Sequence, residues 1–71
     1  MEYTIYMLDL DNKQKILSGN LVMHTHMNIW LKQNGDTNYI YELHKNTKVY
    51  SRWIFKEKRW KRMATPKKYP Q

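Results

Sequence analysis

The chain opens on a pleated pattern. Residues 3–10, Tyr-Thr-Ile-Tyr-Met-Leu-Asp-Leu, are rich in side chains that suit a half-buried sheet surface and predict a strand. Polar Asp11-Asn12-Lys13-Gln14 predicts a turn. Residues 15–23 predict a second, antiparallel strand, with Gly19-Asn20 marking a bulge or an early end. The period then changes. Met27, Trp30 and Leu31 fall at i, i+3 and i+4, which is one face of a helix, with Thr25 as its N-cap. Asn34-Gly35 is a stop, since glycine supplies the left-handed conformation of a C-cap. Asp36 then caps a second helix, its carboxylate within reach of the amides of Asn38 or Tyr39, and Ile40, Leu43 and His44 repeat the helical spacing up to Lys45-Asn46.

A competing pattern overlaps this one. Asn34-Gly35-Asp36 is also a hairpin-turn signal, with residues 26–32 and 39–43 as its strands, and Tyr39, Ile40 and Tyr41 favour strand by propensity. The capping logic on both sides of Gly35 weighs toward helices. Residues 49–55 read as a strand on either pattern, with Val49, Ser51, Trp53 and Phe55 on one face and Tyr50, Arg52, Ile54 and Lys56 on the other. The predicted fold class is α+β: an N-terminal β-hairpin, two short helices, a third strand and a basic C-terminal arm. Residues 1–57 form one small globular domain on this reading, and residues 58–71, with two prolines and no periodicity, a flexible arm.

Length narrows the sources of stability. A chain of 71 residues buries only about 60% of the surface it exposes when unfolded, so its core is marginal. With no cysteine, disulfides and thiolate zinc sites are closed, which leaves self-association as a homodimer in view. No run approaches the ~20 apolar residues that cross a bilayer, and the first residues lack signal-peptide features; a soluble, cytoplasmic protein is expected.

Charge is the most informative feature. Residues 1–44 hold three lysines against five acids, a net −2, whereas residues 45–71 hold ten lysines and arginines against Glu57 alone, a net +9. Such segregation costs self-repulsion, which a polyanionic partner relieves. Lys45, Lys48, Arg52, Lys56, Lys58, Arg59, Lys61 and Arg62 interleave with Tyr50, Trp53 and Trp60. Lysine and arginine neutralise phosphates, and aromatic faces accept unpaired bases. Trp53 shares a strand face with Phe55 and reads as core, so Trp60, among basic neighbours, is the better stacking candidate.

The helix, tight turn and helix read over residues 25–46 resemble a helix-turn-helix, of the compact type found in small phage proteins and beside homing endonucleases. That resemblance implies a DNA-binding regulatory or accessory factor whose second helix lies in the major groove. Thr37, Asn38 and Tyr41 would then read bases or touch phosphate, asparagine being suited to adenine.

Two further classes stay open. One is an inhibitor of phage type that grips a host protein through tyrosine and tryptophan anchors; the other is an all-β sheet that binds RNA or single strands. A membrane-surface role ranks below these, because the basic stretch has no continuous apolar helical face. His24, His26 and His44 read as surface histidines before metal ligands. Ser18 and Ser51 lack a base and its orienting partner, Asp9 and Asp11 suit turn chemistry, and Gly19 and Gly35 make no phosphate loop. No catalysis and no cofactor is expected.

Overall fold

Strand β1 (Tyr3–Asp9) is flanked on both sides, and the rest of the molecule is arranged around that fact. In a computed structural model describing residues 2–63, β1 pairs antiparallel with β2 (Gln14–Leu21) on one side and with β3 (Ile40–Lys45) on the other. β3 continues through a two-residue turn into β4 (Lys48–Lys56), and β4 through another into β5 (Arg59–Met63). The result is a five-stranded antiparallel sheet in the order β2-β1-β3-β4-β5. A 3₁₀ turn (His24–His26) and one helix, α1 (Met27–Asn34), span from β2 to β3.

Register assigns the two faces, because directly opposed residues share a face. Tyr3, Ile5 and Met7 of β1 lie on the face that also holds Tyr41, Leu43, Ser51, Trp53, Phe55 and Trp60. The helix covers this face: buried Met27 and Leu31 join Tyr3, Ile5, Tyr41, Leu43 and Trp60 in one core. Its rings meet edge to face, Tyr41 against both Trp30 and Trp60, and Phe55 against Trp60. Two glycines let helix and sheet approach closely. A Cβ on Gly19 would lie 3.0 Å from the Trp30 ring, and one on Gly35 would lie 2.6 Å from Trp60 and 2.7 Å from the Leu31 carbonyl.

Several expectations are overturned. Residues 36–46 are not a second helix but a turn followed by β3, so the helix-turn-helix and the fold class built on it fail, as does DNA reading by a recognition helix. The physical reason lies in two overlapping periods. Ile40, Leu43 and His44 fit a helical stripe, yet Tyr41 and Leu43 alternate just as well, and only an extended chain can occupy the second side of β1. Asp36 does accept the Asn38 amide, at 2.9 Å, but as an Asx turn whose Tyr39 N–H returns to the Asp36 carbonyl. Gly35 has φ −71°, not a left-handed value, so close packing rather than C-cap geometry makes it glycine. Thr25 lies inside the 3₁₀ turn, and α1 begins at Met27 without a side-chain cap. A bulge between Leu43 and His44 puts Val49 opposite His44, while Tyr50 packs against Tyr3 in the core; these two therefore exchange the faces that strict alternation predicts. Of the arm expected over 58–71, Arg59–Met63 is β5, and residues 64–71 lie outside the described residues.

Candidate nucleic-acid interface

The sheet face away from α1 has no covering element among the described residues. Its β4–β5 half is a small checkerboard. Arg52, Ile54 and Lys56 alternate onto it from β4, and opposite them stand Met63, Lys61 and Arg59 of β5. Arg52, Lys56 and Lys61 thus each have an apolar neighbour along their strand, whereas Arg59 stands beside Lys61. Lys56 and Arg59 directly oppose each other across the hairpin, an arrangement of like charges that destabilises a strand pair. The turn between them, Glu57-Lys58, has φ 56° and 64°, so two non-glycine residues hold the left-handed values of a type I′ turn. Lys58 adds a further exposed cation at that tip. The one acid of this hairpin, Glu57, pairs with Lys61 at 2.7 Å.

Toward the sheet centre the same face holds a buried carboxylate. Glu42, 1% exposed, takes Arg52 Nε and Nη2 on Oε2 at 3.0 and 2.6 Å. Lys15 Nζ and His44 Nε2 each lie 3.0 Å from Oε1. Burial pushes the Glu42 pKa up, but the hydrogen bonds from His44 and Lys15 and the charges of Lys15 and Arg52 outweigh it, holding the carboxyl below its usual range. Arg52 is therefore anchored through two of its nitrogens by a carboxylate that no motif in the sequence marks out. A cleft of about 430 Å³ opens beside this group, between Leu8 and Lys13 on one side and Val49 and Arg52 on the other.

No protein-family model, no curated protein and no solved structure matches this chain.

The cations read from the sequence divide into two groups. Arg52, Lys56, Arg59 and Lys61 share the open face, with Lys58 at its edge. Lys45, Lys48 and Arg62 belong to the helix side. There Lys45 Nζ lies 5.7 Å from the Tyr3 ring centroid, and the Arg62 guanidinium 5.6 Å from that of Tyr50. Lys45 and Lys48 are again a like-charged cross-strand pair, at the opposite end of β4. Trp60 is 8% exposed and packed on Tyr41 and Phe55, so its faces are already occupied. Tyr41 is 2% exposed, and its hydroxyl accepts the Asp36 N–H at 2.7 Å. Thr37 and Asn38 are exposed and line a cleft with Asp9 and Asp11 that reaches Ile54 of β4. The structure therefore sets Thr37 and Asn38 beside the β4–β5 hairpin rather than among its cations, and separates both from the buried Tyr41.

Ile54 and Met63 join the cations on this face without being among the candidate binding residues of the sequence. The alternation of Arg52, Ile54 and Lys56 carried a signal for Ile54, whereas Met63 acquires its place only through the pairing of β5. His24 meets Tyr3 edge-on and Tyr50 at a tilt on the helix side and His44 faces the opposite way, so the histidines do not converge. Among the described residues no helix is long and apolar enough to cross a membrane.

Proposed function

We propose that this protein binds single-stranded nucleic acid, RNA or DNA, across the open face of β4 and β5. The observation that supports this reading is that Arg52, Lys56, Arg59 and Lys61 share one face with the half-buried Ile54 and Met63, uncovered by any element among the described residues. A duplex offers a protein its phosphates and groove edges. An unpaired strand offers phosphates and bare base faces together, and a surface of alternating charge and hydrocarbon matches that pairing. Lys56, Lys58 and Arg59 at the tip supply phosphate contacts, and Arg52, fixed by Glu42, offers a guanidinium plane for a base. The strained Glu57-Lys58 turn and the opposed Lys56–Arg59 pair fit a hairpin shaped for a polyanion at the expense of local stability.

Fluorescence anisotropy with a labelled single-stranded oligonucleotide and its duplex, each titrated at rising salt, tests the proposal. Tighter binding to the single strand, weakening steeply with salt, is the expected result. Lys56→Glu with Arg59→Glu should cost about tenfold or more in affinity for every oligonucleotide sequence alike. Equal binding to both forms, or a salt-independent affinity, would overturn it.

A further inference from the structure

The opposite edge of the sheet has the opposite character. Residues 16–31 form a run of sixteen without a formal charge at pH 7, in a chain that is 27% charged and carries +7 overall. They include most of β2, an edge strand whose outer side meets no other strand among the described residues. Natural edge strands are usually blunted by lysine, proline or inward charges. After Lys15 this one has none of these, and among the described residues its bulge at Ser18 is the only protection it shows. Beside it the surface is apolar. Val22 is 71% exposed, Met23 51% and Ile29 56%, and Leu21, Ile29 and Trp30 line a groove where β2 meets α1.

We infer that this β2–α1 edge is where a second copy of the chain docks. For a two-fold contact, in which each surface meets its own copy, two bodies of charge +7 repel least where neither presents charge, and residues 16–31 are such a place. β2 is also the strand farthest from the cationic hairpin, four positions from β5 in the sheet. A two-fold contact through β2 holds the two β5 strands roughly 40 Å apart, far beyond a Debye length of about 8 Å, so their cations do not oppose assembly. Docking through β5 would instead press Arg59, Lys61 and Arg62 against their own copies. The bulge bends β2 midway, so side chains rather than a full-length strand ladder carry the contact. An isologous interface of this kind also supplies the apolar burial that so small a core lacks.

Sedimentation equilibrium of the full chain over a concentration series tests this without reference to nucleic acid. The expected result is a concentration-dependent rise toward twice the chain mass of 8.8 kDa. Val22→Lys and Ile29→Lys change side chains that are already exposed in the single chain, so each should keep the wild-type far-ultraviolet circular dichroism while shifting the protein to monomer. Lys56→Glu should leave the dimer intact. A wild-type protein that stays monomeric at its highest soluble concentration overturns the inference. So does a dimer that survives both lysine variants, or one that is lost with Lys56→Glu instead.

Discussion

Glu42 concentrates more of the molecule's polar energetics than any other described side chain. It draws Lys15 from β2, His44 from its own strand and Arg52 from β4 onto one buried carboxylate, and so ties three strands through side chains. Removing the charge leaves Lys15 and Arg52 facing an amide, and Glu42→Gln should cost about 1–3 kcal/mol in urea unfolding. Lys15 and Arg52 keep part of their hydration and can turn outward, which limits the loss. The pH dependence has a definite sign. A carboxyl whose folded pKa is lowered contributes in full above its ordinary 4.5, and that contribution fades as pH falls below it. Wild-type stability should therefore decline below about pH 4.5, and the Glu42→Gln variant should lose that part of the slope. Gly35 makes a second claim at this scale. A methyl group there would strike the Trp60 ring and the Leu31 carbonyl, so Gly35→Ala should destabilise by about 1–3 kcal/mol although φ itself suits alanine.

The β4–β5 hairpin joins a strained turn to the candidate binding cations within one element. A type I′ turn favours Asn-Gly, and left-handed φ costs ordinary residues roughly 1–2 kcal/mol each. Replacing Glu57-Lys58 by Asn-Gly should accordingly raise thermal stability, by about 1 kcal/mol or more, despite loss of the exposed Glu57–Lys61 pair, which contributes little. The same change removes one acid with one tip cation and frees Lys61 from Glu57, so the hairpin's net charge is unchanged. Affinity for a single strand should therefore stay within about twofold of wild type, carried by Lys56 and Arg59. Strand β3 illustrates the converse case, an element fixed by its surroundings. Tyr41 and Leu43 go to the core and Glu42 and His44 to the polar cluster, so the strand is buried on both faces. That double burial is why its residues fit a helical stripe equally well in one dimension. β5 was illegible for a different reason. Trp60 alone among cations gives no pleated pattern, and Glu57-Lys58 lacks the usual signature of the turn that folds the chain back.

At the scale of the whole molecule, charge and fold pull apart. The like-charged pairs Lys45–Lys48 and Lys56–Arg59 sit at the two ends of β4. Salt should screen both, so the melting temperature of the free protein should rise from low to moderate ionic strength. Affinity for nucleic acid should fall over the same range. Calorimetry and anisotropy in matched buffers measure the two trends, and a melting temperature that fell together with affinity would contradict this opposition of charge and fold. Much of the candidate surface was legible in the chain, since the cations of the C-terminal third and the alternation of Arg52, Ile54 and Lys56 are visible there. Which of those cations share a face was not, because register decides it. Lys45 and Arg62 lean over Tyr3 and Tyr50 on the helix side, while Lys56 and Arg59 point the other way.

By itself, the order of residues settled the charge asymmetry, the absence of cysteine chemistry, the pleated character of the first two strands and the helical stripe of Met27, Trp30 and Leu31. These depend on composition and on neighbours a few positions away. Only the tertiary structure decided that residues 40–45 extend and that Trp60 is core, and only it brought Lys15, Glu42 and Arg52 together. Those outcomes turn on which strand lies beside which, and a short run of side chains that suits two periods takes whichever one its distant partners can bury.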